Sequence, residues 1–379
     1  MSYTPLQELL LDTLRRTGPM TWERYMELCL YHPQYGYYTQ GRERTGVQGD
    51  YFTSADLHPV FARLVARQAA EMWTAMGCPK PFTWVDMGAG RGLFAADFLS
   101  WSAGALPDFS AALEYVAIEP ASPQRRRIAA RLAGVGDRVR LFAHLEELAP
   151  AAGCFFANEL VDAFPVNVVT RTGGQLKEIY VIAEGDELRA SPGPISDPAV
   201  AAYVARYAPQ LAEGQLVEAN RHAQAWMHAV ADKLTRGFVL TIDYGDMANR
   251  LFTLDRPRGT LLAYRSHTAS EDFFTAPGET DLTAHVNFSA LIDVGEAEGL
   301  EFAGFTTQEK FLLALGEANQ FADVYDPGQT EREMLQARLK LKRLISPEGM
   351  GNIFKVFLQQ RGVPNTGLTG WKFERPAAR

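Results

Sequence analysis

From residue 82 onward the chain shows a two-beat rhythm. Short apolar runs rich in β-branched and aromatic residues, at 82–87, 115–119, 139–143, 154–157 and 238–243, alternate with stretches whose apolar positions recur at helical spacing. Such alternation predicts βαβ units and a parallel sheet. Between the fourth and fifth runs, residues 166–170 and 178–182 flank Thr172-Gly173-Gly174 and predict an inserted hairpin, followed by a proline-rich loop at 191–198. After the fifth run comes a long irregular stretch, 245–285. A helix over 288–298, a strand over 301–306, two more helices and a last strand over 353–359 complete the pattern. A structureless stretch beyond ~15 residues is uncommon in a compact domain, which marks 245–285 as a candidate functional segment.

Before residue 76 the pattern is helical and loop-rich, and no sheet is predicted there. Leu6, Leu9, Leu10 and Leu14 give one apolar face among Glu8, Asp12, Arg15 and Arg16. That opening has neither a signal-peptide core nor an acid-free transit composition, so the expectation is a chain that starts at Met1 and works in the cytoplasm. The predicted division is an N-terminal helical lobe or lid over 1–75 and a second domain over 76–379, with insertions at about 166–220 and 245–285.

Composition narrows the function. Of 379 residues, 47 % are hydrophobic and 22 % charged, which excludes a disordered or fibrous chain. Thirty-seven Lys and Arg against 45 Asp and Glu leave a net charge of −8, the wrong sign for a protein that binds nucleic acid by neutralising phosphates. No apolar run approaches the ~20 residues of a membrane span. Cys29, Cys78 and Cys154 show no CxxC spacing and the seven histidines form no HxH or HExxH pair, so neither a disulfide framework nor a metal site is expected.

The most informative segment is Trp84-Val85-Asp86-Met87-Gly88-Ala89-Gly90-Arg91-Gly92-Leu93-Phe94, a strand running into a G-x-G-x-G turn and then a helix. A dinucleotide fingerprint needs a further glycine where Leu93 stands, and a phosphate loop needs GK[ST]. The spacing instead resembles the first motif of class I S-adenosylmethionine-dependent methyltransferases, with Asp86 two residues before the first glycine. Glu119, at the end of the next strand, has two carboxylate oxygens that can accept from both hydroxyls of a ribose. Arg125-Arg126-Arg127 reads as the solvated face of the following helix.

Other segments extend the resemblance. Tyr25-Met26 with Tyr35-Gly36-Tyr37-Tyr38, Gly49-Asp50-Tyr51-Phe52-Thr53-Ser54, Asn158-Glu159-Leu160 with Asp162-Ala163-Phe164-Pro165-Val166, Ile242-Asp243-Tyr244-Gly245, Asp281 through Phe288, and Met350-Gly351 with Phe354-Lys355-Val356 occur in order along most of the chain. Together they resemble the MidA family of SAM-dependent methyltransferases, which includes an arginine-methylating assembly factor of mitochondrial complex I. Ala55-Asp56 departs from the Pro-Glu pair expected there, and Asn287 stands where the family has Asp.

The resemblance implies a Rossmann-like α/β sheet of seven strands with the last antiparallel, and S-adenosyl-L-methionine as cofactor. It implies cofactor contacts from Asp86, Gly88, Ala89, Gly90, Gly92, Glu119, Asn158, Thr53 and Ser54, the last two on a loop able to close as a lid. Methyl transfer from a sulfonium needs an aligned nucleophile in the right protonation state, and no covalent intermediate. Glu159, Asp162, Asp243, Tyr244 and His285 are the candidate catalytic residues, with Glu159 and Asp162 as a carboxylate clamp for a guanidinium. Asp162 as a helix cap, Tyr244 as a packing aromatic and His285 as a structural histidine remain open alternatives. The expected acceptor is a protein arginine, with a respiratory-complex subunit among the candidates. A small-molecule amine or hydroxyl, and a SAM-binding assembly factor that holds a partner without turnover, are the other readings. Homodimer formation is left open.

Overall fold

The computed structural model describes residues 3–42, 46, 49–50, 53–135, 138–364 and 367–374. Tyr51 and Phe52 of the expected lid loop lie outside the described residues.

The chain forms two compact units. One comprises Phe52–Leu160, Met227–Tyr244 and Ile292–Arg379, and the other Met1–Tyr51, Val161–Trp226 and Gly245–Leu291. The expected break after residue 75 is therefore corrected. The helix Val60–Ala75 buries Val60, Phe61, Leu64, Val65, Ala66, Ala69 and Met72, and packs into the first unit's core with Trp84, Phe98 and Phe156. A helix apolar around so much of its circumference needs a core on several sides, which an N-terminal lid would not offer. The N-terminal segment to residue 51 instead shares a unit with both insertions.

The first unit carries the large sheet, with strands β1 (Phe82–Met87), β2 (Leu113–Ile118), β3 (Val139–Phe142), β4 (Ala151–Asn158), β5 (Leu234–Asp246), β6 (Glu301–Thr307) and β7 (Phe354–Arg361). Their order is β6-β7-β5-β4-β1-β2-β3. β1 to β5 pair in parallel, while β7 runs antiparallel to both β5 and β6. These seven form the sheet with an antiparallel last strand that the family resemblance implied, and Val286–Asn287 adds an eighth strand, pairing in parallel with the end of β5. All six residues of β1 are buried, as a central parallel strand covered on both faces requires. Trp84 packs tilted at 4.8 Å from Phe98, and Phe94 stacks at 4.8 Å from Phe156, so rings cement the strand-helix-strand module.

The second unit corrects the picture of a helical lobe without a sheet. Met20–Thr21 is a short strand that pairs with Gln175–Glu184. The expected hairpin is present as Asn167–Thr172 and Gln175–Glu184, turning at Gly173 (φ 60°) and Gly174 (φ 74°), both in the left-handed region a two-residue turn of this hand demands. Glu187–Gly193 and Leu216–Ala219 extend it to five strands. The proline-rich loop is thus partly strand, because Pro192 needs no ladder N–H on an edge. Residues 245–285 are not structureless. They hold a short helix, Ala248–Leu251, and a three-stranded sheet of Leu262–Arg265, Thr268–Ser270 and Asp281–Thr283. Short strands of mixed polarity carry too little periodicity to be read in advance. The helix Pro5–Thr17 buries Leu6, Leu10, Leu11 and Leu14, so its amphipathic pattern reflects packing within this unit.

Candidate active site

The site assembles where the parallel strands end. β1 stops at Met87, and the chain turns through Gly88 (φ 73°), Gly90 (φ 54°) and Gly92 (φ 71°), three left-handed positions in five residues. Only glycine holds these without the ~1–2 kcal/mol per residue that a side chain costs in that region. The Gly88 and Ala89 amides both donate to the Ile118 carbonyl, at 2.9 and 3.2 Å, which ties the turn to the end of β2. Gly92 then opens the helix Leu93–Ala105 with no side-chain cap on its first amides.

Two carboxylates flank this turn. Glu119, just past β2, is buried and fully engaged, since Oε2 accepts from Gly90 N at 3.0 Å and Oε1 from Ala121 N at 2.9 Å. Burial raises its pKa, while those amides and the nearby Arg125 pull it back. Arg125 donates to the carbonyls of Glu119 and Pro120, so it is no mere solvated charge as the sequence suggested, whereas Arg126 and Arg127 are exposed. Glu159, just past β4, has a left-handed backbone (φ 53°) anchored by its N–H to the Ile242 carbonyl at 2.9 Å. Its Oε1 accepts from Ser54 N at 3.0 Å and Asn158 Nδ2 at 3.1 Å. Its Oε2 is sealed from solvent with no hydrogen-bond partner among the described residues, as is Asn158 Oδ1. Desolvation pushes the Glu159 carboxyl up to about 8, against the pull of Ser54 and Asn158, and the charges of Asp243 and Asp56 add to the rise.

Behind the turn, Asp86 is buried and accepts from the Tyr115 hydroxyl at 2.6 Å. Desolvation lifts its carboxyl to about 7 although the Tyr115 bond opposes the rise. Asp243, fully buried near the end of β5, receives Leu160 N at 3.2 Å and Tyr244 N at 2.8 Å. The Tyr244 ring lies 4.1 Å from that of Phe354.

Thr53 caps the four-residue helix Ser54–Leu57 in a reciprocal box with Asp56, whose Oδ2 accepts from Thr53 N and Oγ1 at 3.0 and 2.8 Å. Ser54 is buried and places its N–H on Glu159. Asp56 also forms an ion pair with Arg91 of the glycine turn. The sequence reading missed Asp56, Arg91 and Tyr115 as parts of this assembly, and Gln308, whose side chain accepts from Ser54 Oγ at 3.1 Å. The T-x-x-D spacing of Thr53 and Asp56 was the one legible signal among them.

Twelve of the fourteen expected residues are thus in one unit. Asp162 and His285 are in the other, where Ala284 N donates to the Asp162 carbonyl at 2.9 Å, His285 N donates to Thr260 Oγ1 at 3.0 Å, and Arg256 lies 3.4 Å from His285 Nδ1. Asp162 is buried in a single turn of 3-10 helix, Val161–Ala163.

The site fits S-adenosylmethionine by its chemistry. A Cβ added at Gly90 would meet nothing nearer than the Gly88 carbonyl at 3.9 Å, so the turn opens onto free space. Among the described residues, Asn158 Oδ1 and Glu159 Oε2 are buried acceptors without a partner, and the cofactor's ammonium, ribose hydroxyls and adenine amine are donors. The strand order and this turn define a class I methyltransferase.

Comparison with known proteins gives the family. The model for a family described as S-adenosyl-L-methionine-dependent methyltransferase matches residues 64–306. A crystal structure from Burkholderia thailandensis, bound to S-adenosyl-homocysteine, is 30 % identical, covers 97 % of this chain and 94 % of its own, and superposes with a TM-score of 0.86. Protein arginine methyltransferase NDUFAF7, mitochondrial, of Mus musculus is 26 % identical over 99 % of this chain and 88 % of its own length. The Drosophila melanogaster homologue is 26 % identical over 92 % and 83 %. The chain belongs to this S-adenosylmethionine-dependent methyltransferase family, the MidA family of the sequence resemblance, and is an enzyme of that class. The expectation of a cytoplasmic location is corrected, because the curated relatives at about 26 % identity are named mitochondrial. The N-terminal helix on which that expectation rested is explained by its packing. Among the described residues no helix is long and apolar enough to cross a membrane.

Proposed function

We propose that this enzyme methylates an arginine guanidinium of a protein substrate, with Glu159 as the carboxylate that receives the cationic group. The relatives named as protein arginine methyltransferases support the acceptor class. The observation that carries the reading is the half-satisfied Glu159 carboxylate, with Ser54 and Asn158 on Oε1 and, among the described residues, no partner on the buried Oε2. A buried carboxylate held up to about 8 is a poor anion until a cation arrives, and an opposite charge within ~4–6 Å restores the ionised form. A guanidinium, with a pKa of roughly 13.8, enters as that cation and engages a carboxylate through directional N–H donors.

S-adenosylmethionine supplies, when bound, an electrophilic methyl on a sulfonium. The chain's own residues do the rest. The Gly88 to Gly92 turn and Glu119 are assigned to hold the cofactor, with Asp86 and Ala89 shaping the turn, Asn158 Oδ1 offering a further acceptor, and Thr53 and Ser54 closing the side near Glu159. Glu159 orients the guanidinium and takes up the proton displaced from the nitrogen that receives the methyl, so the methylated guanidinium keeps its single positive charge while the sulfonium's charge is lost with the departing thioether. Asp243 braces this arrangement by holding the Leu160 amide, and Tyr244 walls it. Asp162 and His285 remain candidates within their own unit, with no step assigned. A respiratory-complex subunit is the first protein acceptor to try, on the family resemblance, and dimer formation is part of the same proposal.

The test is incubation with methyl-labelled S-adenosylmethionine and candidate proteins, each paired with a copy whose arginines are replaced by lysine, followed by mass spectrometry. Methylarginine formed by the wild type, absent from the lysine copies and lost in Glu159→Gln, is expected. Cofactor binding with transfer to lysine copies, or to small amines alone, would overturn the assignment.

A further inference from the structure

Gln308 lies far along the chain from every residue the reaction uses, yet it is fully buried and both ends of its amide are engaged. It is the first residue of the helix Gln308–Glu317, which Thr307 caps through Lys310 N. Its Nε2 donates to the Leu344 carbonyl at 3.2 Å, in the last turn of the helix Glu331–Ile345. Carbonyls in a final helical turn have no partner within the helix, so Gln308 satisfies an otherwise orphaned acceptor and is itself held in one orientation. Its Oε1 then accepts from Ser54 Oγ at 3.1 Å, and Ser54 N donates to Glu159 Oε1 at 3.0 Å.

These contacts make a continuous buried chain, Leu344 to Gln308 to Ser54 to Glu159, drawn from four separate parts of the sequence. Ser54 opens a helix of only four residues, too short to hold its own position. The Asp56–Arg91 ion pair tethers that helix to the glycine turn, and Gln308 tethers it on a second side. The glutamine amide suits this place because it presents a donor and an acceptor together, where a carboxylate would face the Leu344 carbonyl with no proton to give.

We propose that Gln308 is a positioning residue of the methyltransferase site, fixing Ser54 so that its N–H stays on Glu159 and leaves the other carboxylate oxygen for the cationic substrate. This inference rests on the reading of Glu159 given above. Among the described residues, the groups acting on the Glu159 carboxylate include Ser54 and Asp56 from the short helix, Asn158 from β4 and Asp243 from β5, and Asp56 is itself ion-paired with Arg91.

The test follows the Glu159 carboxyl itself and needs no acceptor substrate. Infrared difference spectra, wild type minus Glu159→Gln, give the pH at which that carboxyl titrates. They are repeated in Gln308→Met, which keeps the shape and removes both hydrogen bonds, in Ser54→Ala, and in the double variant, with thermal melts as the control for folding. Loss of the Ser54 bond should move the titration to higher pH by about the same amount in each single variant. The double variant should move it no further, because both changes cut the same chain. Gln308→Glu, which keeps the acceptor for Ser54, should restore part of the shift even if it melts earlier. A titration unmoved in Gln308→Met, or shifts that add in the double variant, would overturn the inference. A variant that melts earlier with an unchanged titration would show that Gln308 is structural only. No titrating band lost in Glu159→Gln would defeat the reading of Glu159 and with it this inference. A normal wild-type titration with an unmoved Gln308→Met defeats the inference alone.

Discussion

Glu119 and Glu159 occupy equivalent places in the same sheet, each one residue past a parallel strand, and they differ in how their oxygens are satisfied and in their backbone. Glu119 spends both oxygens on protein amides, one of them from the glycine turn. Glu159 spends one oxygen and leaves the other sealed and without a partner among the described residues, on a left-handed backbone that a glutamate adopts only under constraint. The first is a carboxylate whose two oxygens are both satisfied by the protein. The second holds an unsatisfied group and a strained backbone, the combination found where a site is prepared for a ligand's charge. On the function proposed above, the same strand-end position would serve holding in one case and chemistry in the other.

The largest effect should come from Glu159→Gln. Turnover is expected to fall by roughly 100-fold or more, the scale of removing a proton-transfer group, while cofactor affinity changes little. The same variant should alter stability in a defined pH window. Below the ordinary value of 4.5 the wild-type carboxyl is protonated in both folded and unfolded chains; above it the unfolded chain releases the proton while the folded one keeps it to about 8. Stability of the ligand-free wild type therefore falls as pH rises from 4.5 to about 8, and the glutamine variant should lack that part of the slope. Melting curves across this range check it; equal slopes would erase the contrast between the two carboxylates.

Next in size, Gly90→Val should weaken S-adenosylmethionine binding by about 100-fold, because the side chain projects into the open cradle and strains a left-handed position. Calorimetric titration reads it. Glu119→Gln sharpens the comparison further. An amide NH2 would face one of two backbone N–H donors, a loss of roughly 1.5–3 kcal/mol at a charged hydrogen bond and so about 10- to 100-fold in cofactor Kd. A fall in kcat at saturating cofactor, with Kd unchanged, would reverse the roles given to Glu119 and Glu159. The smallest effect is expected for Tyr115→Phe, which strips the hydroxyl from buried Asp86 at a cost of about 1–3 kcal/mol. Since that bond holds the Asp86 carboxyl down, its removal should raise the carboxyl above about 7. The folded protein then keeps the proton to higher pH, and the variant's deficit should grow as pH rises through that value, as denaturant melts at several pH values would show.

The legible parts of the site were local in the chain. The glycine turn follows β1 directly, and Glu119 ends the next strand, so strand-turn-helix periodicity was enough to place both. Asn158-Glu159 and Asp243-Tyr244 were placed by the same logic at the ends of β4 and β5. What the sequence did not display is the company these residues keep. Tyr115 reaches Asp86 because β1 and β2 pair Trp84 with Tyr115, which puts Asp86 two positions along the neighbouring strand. Arg91 meets Asp56, and Gln308 meets Ser54, across stretches of chain that carry no record of their encounter. The lid of residues 1–75 failed for a related reason. Apolar spacing showed that 60–75 is a helix, and only the core showed which unit it belongs to.

By itself the sequence determined the order of the seven strands' segments, the G-x-G-x-G turn, the acids at the strand ends and hence the cofactor class, because each depends on a few neighbouring residues and on the two periods of helix and strand. The tertiary structure alone decided which oxygen of each acid is satisfied, how far burial lifts Glu159 and Asp86, and which distant side chains hold the short helix at Ser54. Those quantities are set by desolvation and by hydrogen bonds between segments remote in the chain, and neither exists until the core has closed around them.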